Sequence, residues 1–181
     1  MRSIHTSRLA VAGVLLATLG LPATAPAQYR LPALVSSIKA DSLHAAAVAL
    51  ATTTNRWRDA AALHRRSAEL RPSDDVQGFN CLTEAAALAY AAGDRSRARN
   101  DMADAARHAL ERGDLSSAAQ AYLDAAWIAQ EQKNPSQVWE LGHRAEMLAT
   151  SPLLGSADRA AIMGRIRRAP DANQVVVLKQ P

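Results

Sequence analysis

A metal or catalytic centre in this chain would have to be built from five histidines, one cysteine and seventeen acidic side chains. The densest pairing is Glu140-Leu141-Gly142-His143, which sets a carboxylate and an imidazole three residues apart on one helical face. Helical di-iron centres need such a pair on each of two helices and a further glutamate from each of two more. Only one copy occurs here and no His-Glu-x-x-His motif accompanies it, so a solvated pair is the simpler reading. His64 falls on the apolar stripe of its helix and reads as a packed core histidine. His44 and His108 lie on Ala-rich stretches without a matching set of acidic partners at ligand spacing. Cys81 stands at a helix start, where a thiol pKa can fall, but a buried, inert cysteine fits its neighbours better. Ser-His-Asp spacing and a glycine-rich phosphate loop are both missing. The expectation is a chain with no catalytic residues, no metal ligands and no bound cofactor.

The elements that would position any site are helical. Of 181 residues, 41 are Ala, against eight Gly, eight Pro and seven aromatics, and Ala, Leu, Arg, Gln and Glu are the strongest helix formers. An apolar content of 49% exceeds what a disordered chain carries. Short breakers at Asn55, Gly93-Asp94, Gly113-Asp114, Asn134-Pro135 and Ser151-Pro152 separate stretches of helical period. Apolar residues recur at three- and four-residue steps: Trp57, Ala60, Ala61, His64 and Ala68; Leu82, Ala85, Ala86 and Ala89; Ala98, Met102, Ala105, Ala106 and Ala109. Leu115, Ala118, Tyr122, Ala125, Ala126 and Ala129 continue the scheme, as do Val138, Leu141, Gly142, Ala145 and Ala149. Seams of small residues let helix backbones approach closely, with one bulky side chain filling the space left. An all-α fold of antiparallel neighbours follows.

The pattern also repeats. Asn55-Arg56-Trp57-Arg58-Asp59-Ala60 corresponds to Gly93-Asp94-Arg95-Ser96-Arg97-Ala98 and then to Lys133-Asn134-Pro135-Ser136-Gln137-Val138, at steps of 38 and 40 residues. Within 41–74, Trp57-Arg58-Asp59-Ala60 leads to Ala68-Glu69-Leu70-Arg71-Pro72, with the proline closing a second helix. Here the chain resembles the tetratricopeptide repeat (TPR) family, whose helix-turn-helix unit spans about 34 residues. Lys133 replaces the turn glycine, the period is long, and Gly113-Asp114 falls at half a period. The resemblance covers residues 41–150 and implies a short TPR-like α-solenoid, with a closed helical bundle as the alternative. Residues 156–168 read as a capping helix that closes the domain 41–168, with 28–40 as a leader and 169–181 as a tail. In that tail Val175-Val176-Val177-Leu178 is strand-like. The resemblance further implies a groove that holds a peptide. It turns Thr83, Ala87 and Tyr90 towards the groove in the second unit, and Leu123, Trp127 and Gln130 in the third. Tyr90 and Trp127 are the anchors of that surface, since aromatics with a polar edge bind at modest entropic cost.

Compartment and charge narrow the function classes. Arg2 and Arg8 precede an uncharged apolar run from Leu9 to Leu21, and Ala25-Pro26-Ala27 offers a small-x-small cleavage pattern, so residues 1–27 read as a cleavable signal peptide. The run falls short of the roughly 20 residues that a membrane-spanning helix needs. A transmembrane span after signal cleavage is therefore not expected. Without this segment the net charge drops from +4 to +2, since two arginines and no acid leave with it. That excess is too weak for a nucleic-acid partner. Arginines 56, 58, 65, 66 and 71, and then 95, 97, 99, 107 and 112, are interleaved with acids such as Asp101 and Asp104, and read as solvated helix surface. The function expected is an exported, periplasmic or secreted bacterial scaffold that binds a protein or peptide partner and is not an enzyme. The alternatives are an exported helical-bundle enzyme or metal-binding protein, and a structural subunit of a larger assembly.

Overall fold

The computed structural model describes residues 30–53 and 56–168, and these fold into helices with no strand among the described residues. In chain order they are α1 (Arg30–Thr53), α2 (Trp57–Glu69), α3 (Val76–Ala91), α4 (Arg95–Glu111), α5 (Leu115–Glu131), α6 (Pro135–Ala149) and α7 (Ser156–Arg168). The segment 28–40 expected as a leader is helical from Arg30 on, and Ala40 is fully buried. The signal segment 1–27, the breaker Asn55 and the tail 169–181 lie outside the described residues.

Three turns of one construction join α3 to α6. Each closes the preceding helix with two backbone bonds: Asp94 N to Ala89 O and Gly93 N to Tyr90 O, Asp114 N to Ala109 O and Gly113 N to Leu110 O, Asn134 N to Ala129 O and Lys133 N to Gln130 O. This is the Schellman arrangement, which needs a left-handed residue just past the helix end. Gly93 (φ 80°), Gly113 (φ 76°) and Lys133 (φ 55°) occupy that position. The next residue caps the following helix: the side chains of Asp94, Asp114 and Asn134 accept from the amides of Arg97, Ser117 and Gln137, and Pro135 opens α6 without needing a donor. The turn at Gly113-Asp114, which fell at half a period, is thus the same object as its neighbours. Asp75 caps α3 through the Gln77 amide, after a longer connection.

Extensive contact runs between consecutive helices, from α1·α2 through to α5·α6, and α7 packs on both α5 and α6. The core is made mostly of alanine. Ala105, Ala106, Ala121, Ala125, Ala129 and Ala145 surround Tyr122 and Leu141, while Ala61, Ala85, Ala89 and Ala98 pack with Ile128. Each buried methyl contributes only about 0.8 kcal/mol, so stability depends on close backbone approach along the whole array. At the C-terminal end Ile162 and Leu154 cover Ala119 and Ala149. The Arg159 guanidinium donates to the carbonyls of Ala149 at the end of α6 and of Ser151 and Leu154 in the connection that follows it. Among the described residues no helix is long and apolar enough to cross a membrane.

Candidate functional site

The side chains expected to anchor a partner meet near one edge of the helical array. Tyr90, the penultimate residue of α3, and Trp127, in the last turns of α5, lie with ring centroids 5.7 Å apart. Trp127 is 51% exposed. The Tyr90 hydroxyl donates to the Glu131 carboxylate at 2.8 Å, and this acceptor holds the phenol above the ordinary tyrosine range. The Arg95 guanidinium stands 4.6 Å from the Tyr90 ring centroid, with its Nε 3.4 Å from Glu131. A second bridge crosses the same edge, where Gln132 donates to Ser96 and accepts from Arg99, each at 2.8 Å. The turn after α5 is thereby fastened to the start of α4.

The other four expected positions diverge. Ala87 is exposed, Gln130 is half-buried, and the half-buried Thr83 hydroxyl donates back to the Asn80 carbonyl of its own helix at 2.8 Å. Leu123 packs against two core clusters, between Tyr122 and the α7 contact. The arginines are engaged as well: Arg56 with Asp59, Arg66 with Glu69, Arg107 with Asp104, Arg112 with Asp114, and Arg71 with both Asp41 and Asp75. Asp101, expected on a solvated surface, is instead 1% exposed and pairs with Arg65 at 2.8 Å, tying α4 to α2. Burial keeps its carboxyl above the ordinary range despite the guanidinium beside it.

Glu140 and His143 turn to separate partners. Glu140 accepts from Arg144 at 2.7 Å and from Gln137 at 3.2 Å, whereas His143 stacks on Trp139 with centroids 5.3 Å apart.

A different polar cluster forms where α1, α2 and α3 meet. His64 is buried, as expected for a core histidine, but its ring does not lie among apolar groups alone. Its Nδ1 is 3.3 Å from the Nδ1 of His44 and 3.1 Å from Glu84 Oε2. The same Glu84 oxygen lies 3.5 Å from His44 Nδ1, and Cys81 Sγ lies 3.6 Å from it. One donor atom each from His44, His64 and Cys81 falls within 4.8 Å of the others. Burial, together with the neighbouring His44, lowers the His64 pKa to about 4, so its imidazole is neutral at physiological pH. Cys81 is fully buried, and burial pushes its thiol up in spite of the Ser67 hydroxyl 3.5 Å away. Ser67 in turn donates to the Ala40 carbonyl at 2.7 Å. The four side chains come from three helices, and only Cys81 and Glu84, three residues apart on α3, were neighbours in the sequence.

The chain matches no protein-family model, no curated protein and no solved structure.

Proposed function

We propose that this chain is an exported, non-enzymatic scaffold of TPR-like stacked helical hairpins, which holds a protein or peptide partner in the bacterial envelope. The observation that carries the reading is Trp127, a large apolar side chain left half in solvent against a rigid Tyr90. Tyr90 is itself held by Glu131 and Arg95. A surface aromatic whose neighbour is already fixed loses little freedom on binding, which is the situation that favours a binding anchor.

Side-chain ties between helices two apart in the chain support an open stack over a closed bundle. His44 of α1 reaches Cys81 of α3, Arg65 of α2 reaches Asp101 of α4, Tyr90 of α3 reaches Glu131 of α5, and Arg165 of α7 reaches Asp124 of α5. In a stack of hairpins, first helices lie beside first helices and second beside second. A shallow depression lined by Arg56 to Asp59 and by Ala91 and Ala92 puts the start of α2 beside the turn after α3, so hairpin ends line up along one edge. The signal-peptide pattern in the sequence of residues 1–27 supports export and a periplasmic or secreted location.

The test is capture from an envelope extract of the producing organism on immobilised residues 28–181, with Trp127→Ala and Trp139→Ala as parallel baits. Trp139 is also a half-exposed tryptophan, 45% against 51%. The scaffold reading predicts a protein retained by the native chain and by Trp139→Ala and lost with Trp127→Ala, while far-UV circular dichroism stays unchanged. Retention of the same proteins by all three baits would remove Trp127 from the binding surface.

A further inference from the structure

We propose that His44, His64, Cys81 and Glu84 form a zinc(II) site that joins α1, α2 and α3, with Nδ1 of both imidazoles, Sγ and a carboxylate oxygen as ligands. The proposal goes beyond partner binding and does not depend on it.

Geometry carries the assignment. Tetrahedral zinc with bonds of about 2.0 Å to nitrogen and 2.3 Å to sulfur has polyhedron edges of about 3.3 Å between two nitrogens and about 3.6 Å between nitrogen and sulfur. The Nδ1 to Nδ1 separation is 3.3 Å and the His44 Nδ1 to Sγ separation is 3.6 Å. Edges from the Glu84 oxygen to the two nitrogens should be about 3.4 Å, and they are 3.1 and 3.5 Å. One ligand atom each of His44, His64 and Cys81 falls within 4.8 Å of the others, so binding draws the Cys81 thiol about 1 Å towards the imidazoles to reach a tetrahedral edge. Hydrogen bonding accounts for individual pairs in this set. With one Nδ1 protonated and the other bare the imidazoles form such a pair in the metal-free chain, and an ion takes its place by accepting both nitrogens unprotonated.

Donor chemistry selects the ion. Calcium and magnesium take oxygen ligands and leave imidazole and thiolate unused. Two neutral imidazoles, one thiolate and one carboxylate carry two negative charges, which balance a divalent cation. A blue-copper centre shares the two-histidine, one-cysteine set but keeps its axial ligand weak and distant, whereas the Glu84 oxygen is as close to the imidazoles as they are to each other. Binding forms a zinc–sulfur bond while the Cys81 S–H proton passes to solvent. Ser67, buried between Cys81 and the Ala40 carbonyl, is a positioning residue for the sulfur. His44 and Glu84 side chains are 32% and 46% exposed, so an ion can enter from solvent without unfolding the core.

The test uses residues 28–181, reduced and stripped of metal, titrated with cobalt(II) as a spectroscopic stand-in and then with zinc(II). The expected result is one equivalent of cobalt with the intense visible bands of a tetrahedral ion and a near-ultraviolet thiolate charge-transfer band, all abolished by one equivalent of zinc. Cys81→Ser should remove the charge-transfer band and weaken zinc binding at least tenfold. His44→Asn, a change at a half-exposed position, should weaken it similarly while the apo helical signal persists. Zinc should raise the melting temperature of the native chain and leave that of His44→Asn unmoved. A pale, octahedral cobalt spectrum, no stoichiometric uptake, or a charge-transfer band that survives Cys81→Ser would overturn the site. Since the spectrum of the native chain is decisive by itself, misfolding of a variant does not shelter the proposal.

Discussion

Asp101 shows how a single residue can reverse its apparent role. On paper it interrupts a row of arginines and reads as solvated, yet it is buried and its partner Arg65 comes from a helix 36 positions earlier in the chain. Removing the guanidinium leaves a carboxylate in the core, so Arg65→Ala should cost about 3 kcal/mol in urea unfolding. An effect below about 1 kcal/mol, the range of surface pairs, would contradict the pairing. The pH dependence has a defined sign. Burial raises the Asp101 carboxyl above its ordinary value, so between the two values the folded state holds a proton that the unfolded chain has released. Stability contributed by this group therefore declines as pH rises from about 4, and Asp101→Asn should flatten that decline. Asp75 and Asp114 act the other way. Burial opposes their ionisation, but the capped amides of Gln77 and Ser117 and the guanidiniums of Arg71 and Arg112 outweigh it and lower both. Their contribution is present above the ordinary carboxylate range and is lost as pH falls through the depressed values.

At the scale of the element, turns and helix approach decide the outcome. Lys133 holds a left-handed conformation that glycine takes in the two equivalent turns, and a side chain there costs about 1 kcal/mol. Lys133→Gly is therefore expected to stabilise the chain by roughly that amount, while Gly113→Ala destabilises it, both read from thermal unfolding. Gly78 lies in α3 against His108 of α4, and an added Cβ would come within 2.7 Å of the His108 Cε1. Alanine at this position gains about 1 kcal/mol of helix propensity, and the overlap should exceed it, giving a net loss of about 1–3 kcal/mol. In a His108→Ala background the same substitution should become stabilising. The turn chemistry was readable beforehand because Gly-Asp and Asn-Pro carry their capping function within four residues. So was the buried stripe, since Ala60, Ala61, His64 and Ala68 are all buried as their spacing predicts. Trp57, on the same stripe, is 36% exposed because it opens α2 with no helix turn before it to share its cover. The His44, His64, Cys81 and Glu84 cluster was not readable, because no spacing rule links a residue on each of three helices before their packing is known. Leu123 packs against two core clusters, one of them with α7 residues, a neighbour that its spacing on α5 did not reveal.

Considered as one molecule, the chain is an array in which each helix leans chiefly on its neighbours in sequence, with lateral ties two helices apart. Small-angle scattering of residues 28–181 should give an elongated particle, larger in radius of gyration than a closed bundle of equal mass; a compact profile would contradict the stacked-hairpin reading. Deleting α7 should uncover Ala119 and Ala149 and lower the melting temperature, with the loss concentrated in α5 and α6 by hydrogen exchange. The central claim is that Trp127 faces a partner, and site-specific photocrosslinking in the producing organism tests it most directly. A photoreactive residue at position 127 should yield a discrete adduct with one envelope protein, and the same residue at position 139 should not. No adduct at 127, or the same adducts at both positions, would contradict the account.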